Sequence, residues 1–187
     1  MKLIDDLRRY QPYNEQEVKD KALILEWLEK GESVFTRNSV MAHMTTSAWV
    51  VNKSRDKVLM AYHNIYDSWS WIGGHADGAE DLPTVALREL QEETGVHHAA
   101  LVSRDIFSLE ILPVSGHIKK GVYVPSHLHL NITYLAEADE NEALTVNEVE
   151  NQAVKWWSFA DALQVSKELW FVERVYKKLI EKCKCAS

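Results

Sequence analysis

The chain has 187 residues, 46% of them apolar and 26% charged, and a formal net charge of −7. That is the balance of one ordinary globular domain with a substantial core, and the acidic excess argues against broad electrostatic binding to nucleic acid or to anionic membrane. No apolar run approaches membrane-spanning length, the first ten residues are too charged for a secretory signal, and the two cysteines, Cys183 and Cys185, suggest a cytoplasmic protein without a disulfide framework.

Residues 1–30 are helical in pattern, with a break at Gln11-Pro12. Leu3, Leu7 and Tyr10 recur at helical spacing, and Val18, Ala22, Leu25 and Leu28 do so in a longer segment. Asn14 is placed to cap that segment with Glu17 three residues on, and Lys30-Gly31 to stop it. The expected organisation is a helical N-terminal extension over residues 1–40 and a main domain over 41–187. The extension is expected to cover one edge of the fold; leaning over a cleft or helping to form a homodimer are the alternatives.

Ala48 to Asn52 and Lys57 to His63 read as strands joined by the turn Lys53-Ser54-Arg55-Asp56. Tyr66, Trp69 and Trp71 crowd the segment that follows. Aromatic rings there can stack on a nucleobase, which makes Trp69 and Trp71 candidate substrate contacts, or they can pack as core.

Gly73-Gly74 permits close backbone approach to a ligand, and a glycine carbonyl can itself bind a metal. The stretch from Gly74 to Val96, GHADGAEDLPTVALRELQEETGV, is the strongest chemical signal in the chain. Asp81 is placed to cap a helix, Pro83 is tolerable in its first turn, and Gly95 ends it. Residues three and four apart share a helical face, so Glu89, Glu92 and Glu93 are expected to converge, with Arg88 steadying Glu92. Carboxylates about 4 Å apart repel by roughly 4 kcal/mol per pair at an effective dielectric near 20. A hard divalent cation is the natural compensation.

Beyond the helix, His97 and His98 read as surface residues, and Leu112 to Ser126 as a hairpin or long loop whose Lys119 and Lys120 form a solvated tip, with reach to a phosphate the lesser alternative. His127 to Glu137 is the clearest strand. Leu128, Leu130, Ile132, Tyr134 and Ala136 take the core parity, and His127, His129, Asn131 and Thr133 the opposite one. That polar face is either half solvated or lines a cleft. In the second case His127 and His129 are candidates for binding phosphate or supplying a proton, with a zinc site the lesser alternative. An acidic connection holding Glu148 and Glu150 leads to a strand near Val154 to Trp157. Ser166 to Lys184 closes the chain as an amphipathic helix with Leu169, Val172, Val175, Tyr176 and Leu179 inward.

Gly74, Glu80, Arg88, Glu89, Leu90, Glu92, Glu93, Gly95 and Val96 fill every fixed position of the pattern G-x5-E-x7-R-E-U-x-E-E-x-G-U, where U is aliphatic. The stretch therefore resembles the Nudix box. Many proteins of that family place a proline before the paired glycines; here Ile72 stands there, so a less stiff loop is expected. The resemblance implies the α/β Nudix fold, a mixed β-sheet sandwiched between α-helices (α/β/α). It also implies hydrolysis of a phosphoanhydride in a nucleoside diphosphate linked to another group. Mg²⁺ or Mn²⁺ is then held by Glu92 and Glu93, with Glu89 and the Gly73 carbonyl. Glu89 is the first choice of base, and Glu150, then Glu148, the further acidic candidates. Arg88 orients Glu92 rather than touching substrate, and Glu80 supports the loop and joins the outer metal shell. The implied partner is a small-molecule nucleotide or diphosphate, not nucleic acid or membrane. A ligand-sensing regulator is the alternative, disfavoured because the box carboxylates are complete. An isopentenyl-diphosphate-isomerase-like enzyme is disfavoured because the cysteines lie in the tail. The leaving group is not named by the sequence.

Overall fold

The computed structural model describes residues 2–31, 34–119 and 121–185. The Lys119 side chain and all of Lys120, the pair considered for phosphate, lie outside that description. Strand β1 (Ala42–Val51), buried along its whole length, is the centre of the sheet. The main path runs β10 (Asn151–Ser158), β2 (Lys57–His63), β1, β9 (His127–Glu137), β5 (Ala100–Leu101). Three strands branch from it: β3 (Ser68–Ser70) on β2, β4 (Ile72–His75) on β1, and β6 (Ser108–Val114) on β9. β1 and β9 are parallel, whereas β1 runs antiparallel to both β2 and β4, so the sheet is mixed. β7 (His117–Lys119) and β8 (Val122–Val124) form a separate hairpin, and Gly121 between them takes a positive φ of 80°.

Alternation along β1 sends its side chains to two cores. Met44, Ala48 and Val50 join Leu3 and Leu7 of α1 (Lys2–Arg9), Ile24 and Leu28 of α2 (Glu15–Glu29), and Leu82, Ala86 and Leu90 of α3 (Leu82–Thr94). Trp49 and Val51 join Ala162 of α4 (Phe159–Val165) and the C-terminal helical segment. That segment runs through α5 (Leu169–Phe171), a π turn over Val172–Tyr176 and α6 (Lys177–Cys185). The sheet is thus covered by helices on both faces, as the resemblance implied. The N-terminal helices share the apolar cluster of α3 and the sheet. Among the described residues no helix is long and apolar enough to cross a membrane.

Two helical faces differ from the expected ones. In α2 the Asn14 side chain caps the Glu17 N–H at 3.0 Å, as the spacing predicts, but Val18 is 53% exposed and the buried residues are Glu17, Ile24 and Leu28. Glu17 turns the helix because its carboxylate meets Lys178 Nζ at 2.9 Å, and the same ammonium meets Glu110 Oε1 at 2.8 Å. Burial works against ionising Glu17, but Lys178, the Tyr10 hydroxyl and Lys182 outweigh it and hold the carboxyl at about 2. In the C-terminal segment Val172, Val175, Tyr176 and Leu179 are buried as expected, whereas Leu169 is 76% exposed. The Lys177 N–H bonds to the Val172 carbonyl, an i to i−5 step. Leu169 opens α5 at the exposed start of the segment, ahead of that turn.

Lys178→Met leaves Glu17 and Glu110 buried without their shared cation. Chemical denaturation is expected to show a loss of about 3–5 kcal/mol, the usual cost of removing one partner from a buried ionic group.

Candidate active site

β4 lies along β1 with Thr46 opposite Gly74 and Ser47 opposite Gly73. A Cβ on Gly73 would sit 2.5 Å from the Thr46 carbonyl oxygen, and one on Gly74 only 2.2 Å from Glu89 Oε2. The first glycine therefore permits the sheet contact and the second the approach of the carboxylate. A turn follows in which Asp77 has φ 46° and Gly78 φ 92°, and Arg37 grips Asp77 with two hydrogen bonds of 2.7 and 2.6 Å.

α3 then carries the acidic residues. Pro83 sits in its first turn, Ala86 and Leu90 are buried, and Gly95 ends it at φ 72°. Asp81 holds the N-cap position but makes no side-chain bond to the helix backbone; it accepts from the Thr84 hydroxyl at 2.6 Å and pairs with Arg104. Glu80 is exposed.

The three glutamates of the expected shared face separate. On a helix of about 100° per residue, Glu93 follows Glu89 by roughly 40° while Glu92 falls roughly 60° to the other side. Glu93 is buried, and its two oxygens accept from the Gly73 N–H and the Asn151 amide, each at 3.1 Å. Burial pushes its carboxyl up to about 8, against those two hydrogen bonds and with help from Glu89 and Glu150. The Glu89 side chain is 13% exposed and is raised by burial although Arg88 donates to it at 2.7 Å. Glu92 has a 57% exposed side chain, 3.7 Å from Arg88 Nε. Arg88 thus holds Glu89 more closely than Glu92, the reverse of the sequence expectation.

Gly73, Gly74, Glu89 and Glu93 open onto a cavity of about 730 Å³, and Glu150 joins them from the loop before β10. That volume suits a small organic ligand. Glu92 lies outside the cavity, in an adjoining depression with Arg37, Asp77 and Arg88; Glu89 and Glu150 line both spaces. Glu148 lines neither space, and its backbone carbonyl accepts from the Asn64 amide. Trp71 lines the cavity, edge-on to Tyr176 and Phe171. Trp69 is instead packed edge-on between Tyr62 and Trp157 and does not line the cavity, whereas Ser70 and Trp71 beside it do.

The polar parity of β9 faces the cavity through His127, His129 and Asn131. His43 and His75 join them, with His43 4.8 Å from His127 and 5.0 Å from His129 between ring centroids. Burial, then the neighbouring imidazoles, pull His129 far below the ordinary histidine range, and burial lowers His43 as well. His43, His75 and Asn151 went unnoticed in the sequence. His75 alone carried a signal, standing next to Gly74 inside the box. Glu168, which also lines the cavity and is raised by burial to about 6, had none.

The family described as the NUDIX domain matches residues 41–180. The chain belongs to the NUDIX family. It is 30% identical over 99 residues to the bis(5'-nucleosyl)-tetraphosphatase (asymmetrical) of Rattus norvegicus, a stretch covering 53% of this chain and 61% of that protein. In fold it is similar to a C. elegans Ap4A hydrolase binary complex, with TM-score 0.54 and 19% identity over 76% of this chain and 96% of that one. It is likewise similar to the MutT protein from Methanosarcina mazei Go1, with TM-score 0.54 and 15% identity over 79% and 96% of the two chains.

Because burial raises the Glu93 carboxyl from 4.5 to about 8, the folded chain retains a proton there that the unfolded chain releases. Its contribution to stability is complete below the unfolded value and is lost as pH rises to the folded one. In metal-free buffer, stability is expected to fall between about pH 4.5 and 8, and Glu93→Gln to flatten that slope. Denaturation midpoints measured across the range check it.

Proposed function

We propose that the protein is a divalent-cation-dependent hydrolase of a phosphoanhydride bond in a nucleoside diphosphate linked to another group. The observation that carries this reading is the placement of Glu89 and Glu93 against Gly73-Gly74 at the wall of a ligand-sized cavity. The donor set fits Mg²⁺ or Mn²⁺. Its groups are oxygens, and Glu89 and Glu93 are raised by burial and by repulsion from neighbouring carboxylates that a cation would relieve. Glu89 and Glu93 would hold the ion together with the Gly73 carbonyl, and Glu92 would contribute from the adjoining depression. Once bound, such an ion supplies charge neutralisation for a diphosphate and acidifies water.

The chain's own residues supply position and proton transfer. Gly73-Gly74 let the backbone come close to the phosphates. Arg88 orients Glu89, whose raised carboxyl suits it to accept the proton of the attacking water; Glu150, lining the same two spaces, is the alternative acceptor. Asn151 and the Gly73 N–H lock Glu93 in one orientation. Trp71 offers an aromatic wall to a base. The rat relative is a bis(5'-nucleosyl)-tetraphosphatase and the C. elegans protein an Ap4A hydrolase, which makes dinucleotide polyphosphates the first substrates to try.

A panel of dinucleotide polyphosphates, nucleotide sugars, ADP-ribose, nucleoside triphosphates and non-nucleotide diphosphates, assayed with and without Mg²⁺, tests the reading. At least one compound is expected to be cleaved with Mg²⁺ and not without it. Glu93→Gln is expected to lower turnover by at least about a hundredfold, on the scale of a lost metal ligand or base. Near-normal turnover in that variant would overturn the assignment.

A further inference from the structure

In the cavity that the carboxylates also line, His43, His75 and His129 each present a ring nitrogen within 4.8 Å of the other two. The rings come from three strands that only the sheet brings together: β1, β4 and β9. From the placement and hydrogen bonding of these rings we propose a second cation site, built from His43, His75 and His129, that takes a borderline transition-metal ion such as Zn²⁺ or Co²⁺ rather than Mg²⁺.

Three observations carry it. The first is spacing. Three atoms no more than 4.8 Å apart always leave a point within about 2.8 Å of all three, and side-chain shifts of less than about 1 Å close that to a Zn–N bond of about 2.0–2.1 Å.

The second is the state of the lone pairs. His43 Nδ1 lies 3.2 Å from the Ser39 carbonyl, which can only accept, so Nδ1 carries the hydrogen and Nε2 of the neutral ring carries the lone pair. That Nε2 is buried and has no hydrogen-bond partner. A bare imidazole lone pair whose opposite N–H is tied to a carbonyl is the usual arrangement of a metal-bound histidine. By the same reasoning His127 donates Nδ1–H to the Pro125 carbonyl at 2.8 Å, so its neutral Nε2 accepts from His129 Nε2–H at 3.1 Å. His129 is thereby oriented with its remaining lone pair on Nδ1.

The third is charge. Four imidazoles packed with centroids about 5 Å apart cannot readily share several protons. Rings at that spacing favour the neutral form that a metal requires and disfavour the cationic form that would grip a phosphate unaided. Imidazole nitrogen selects Zn²⁺ and its neighbours, whereas the all-oxygen groups of the box select Mg²⁺ or Mn²⁺. The three histidines line the cavity, so an ion on them presents its remaining position to whatever the cavity holds. The inference does not require the hydrolase reading to hold.

The test is Co²⁺ binding to the purified chain in a large excess of Mg²⁺, followed by visible absorption and by equilibrium dialysis. One equivalent is expected to bind, with the intensified d–d bands of nitrogen coordination at low coordination number. His43→Gln and His129→Gln are each expected to weaken it at least about tenfold, while Glu93→Gln retains the spectrum. Zn²⁺ should displace the Co²⁺. Circular dichroism separates loss of a ligand from loss of fold, and if a histidine variant misfolds, the wild-type and Glu93→Gln spectra decide alone. The proposal fails if the wild type takes up no Co²⁺ against Mg²⁺, if folded histidine variants bind it as tightly as wild type, or if Glu93→Gln abolishes the bands.

Discussion

Strand β1 is hydrogen-bonded in parallel to β9 along its whole length and antiparallel to β4 from Thr45 to Ala48, and the position of each functional group follows from that double pairing. His43 faces His129 across one boundary, and Thr45 faces His75 across the other. Gly73 can reach this position only because it lacks the Cβ that would strike Thr46. Buried hydroxyls pin the register: Thr45 and Ser47 both donate to the Asn131 side chain at 3.0 Å, and Thr46 donates to the Ile132 carbonyl at 2.9 Å. A one-residue slip of β9 would turn His127, His129 and Asn131 to the other face of the sheet and leave those hydroxyls unpaired.

Asn131 continues this pinning into the far side of the molecule. Its amide donates to Thr133 at 3.1 Å and to Glu110 at 3.3 Å, and Glu110 meets Lys178 of α6, which also holds Glu17 of α2. A continuous polar chain therefore runs from the cavity wall to both ends of the polypeptide. Ions buried this deeply are tolerable only when each is paired and hydrogen-bonded, and that condition ties the N-terminal helices and α6 to one arrangement.

The cavity consequently brings together two groups of opposite proton chemistry. On the α3 side burial favours protonated carboxyls, and on the β9 side it favours neutral imidazoles. In both cases desolvation disfavours the charged form. In the two proposed sites, oxygen donors and nitrogen donors would distinguish cations by hardness within one cavity.

Local chemistry was well written into the chain. The turn residues, the stop at Gly95 and the apolar period placed α3, and strict alternation placed β9 from His127 to Glu137 with both ends correct. Those features depend on neighbours in sequence, and so does the box that marks the family. The remainder was illegible for identifiable reasons. Periodicity assigns a buried face by hydrophobicity, so it chose Val18 over Glu17, whose burial depends on a lysine 161 positions away by the numbering of Glu17 and Lys178. It also assumed an unbroken helical period, which the π turn at Val172–Tyr176 interrupts. His43, His75 and Asn151 lie on separate strands and acquire meaning only through pairing. What the sequence determined by itself was the acidic helix, its glycine loop and the family, because short-range sterics and spacing specify them. Which carboxylate is buried, which tryptophan faces the cavity and which histidines meet were decided only by the tertiary structure, because those outcomes rest on strand register and on charges paired across the fold.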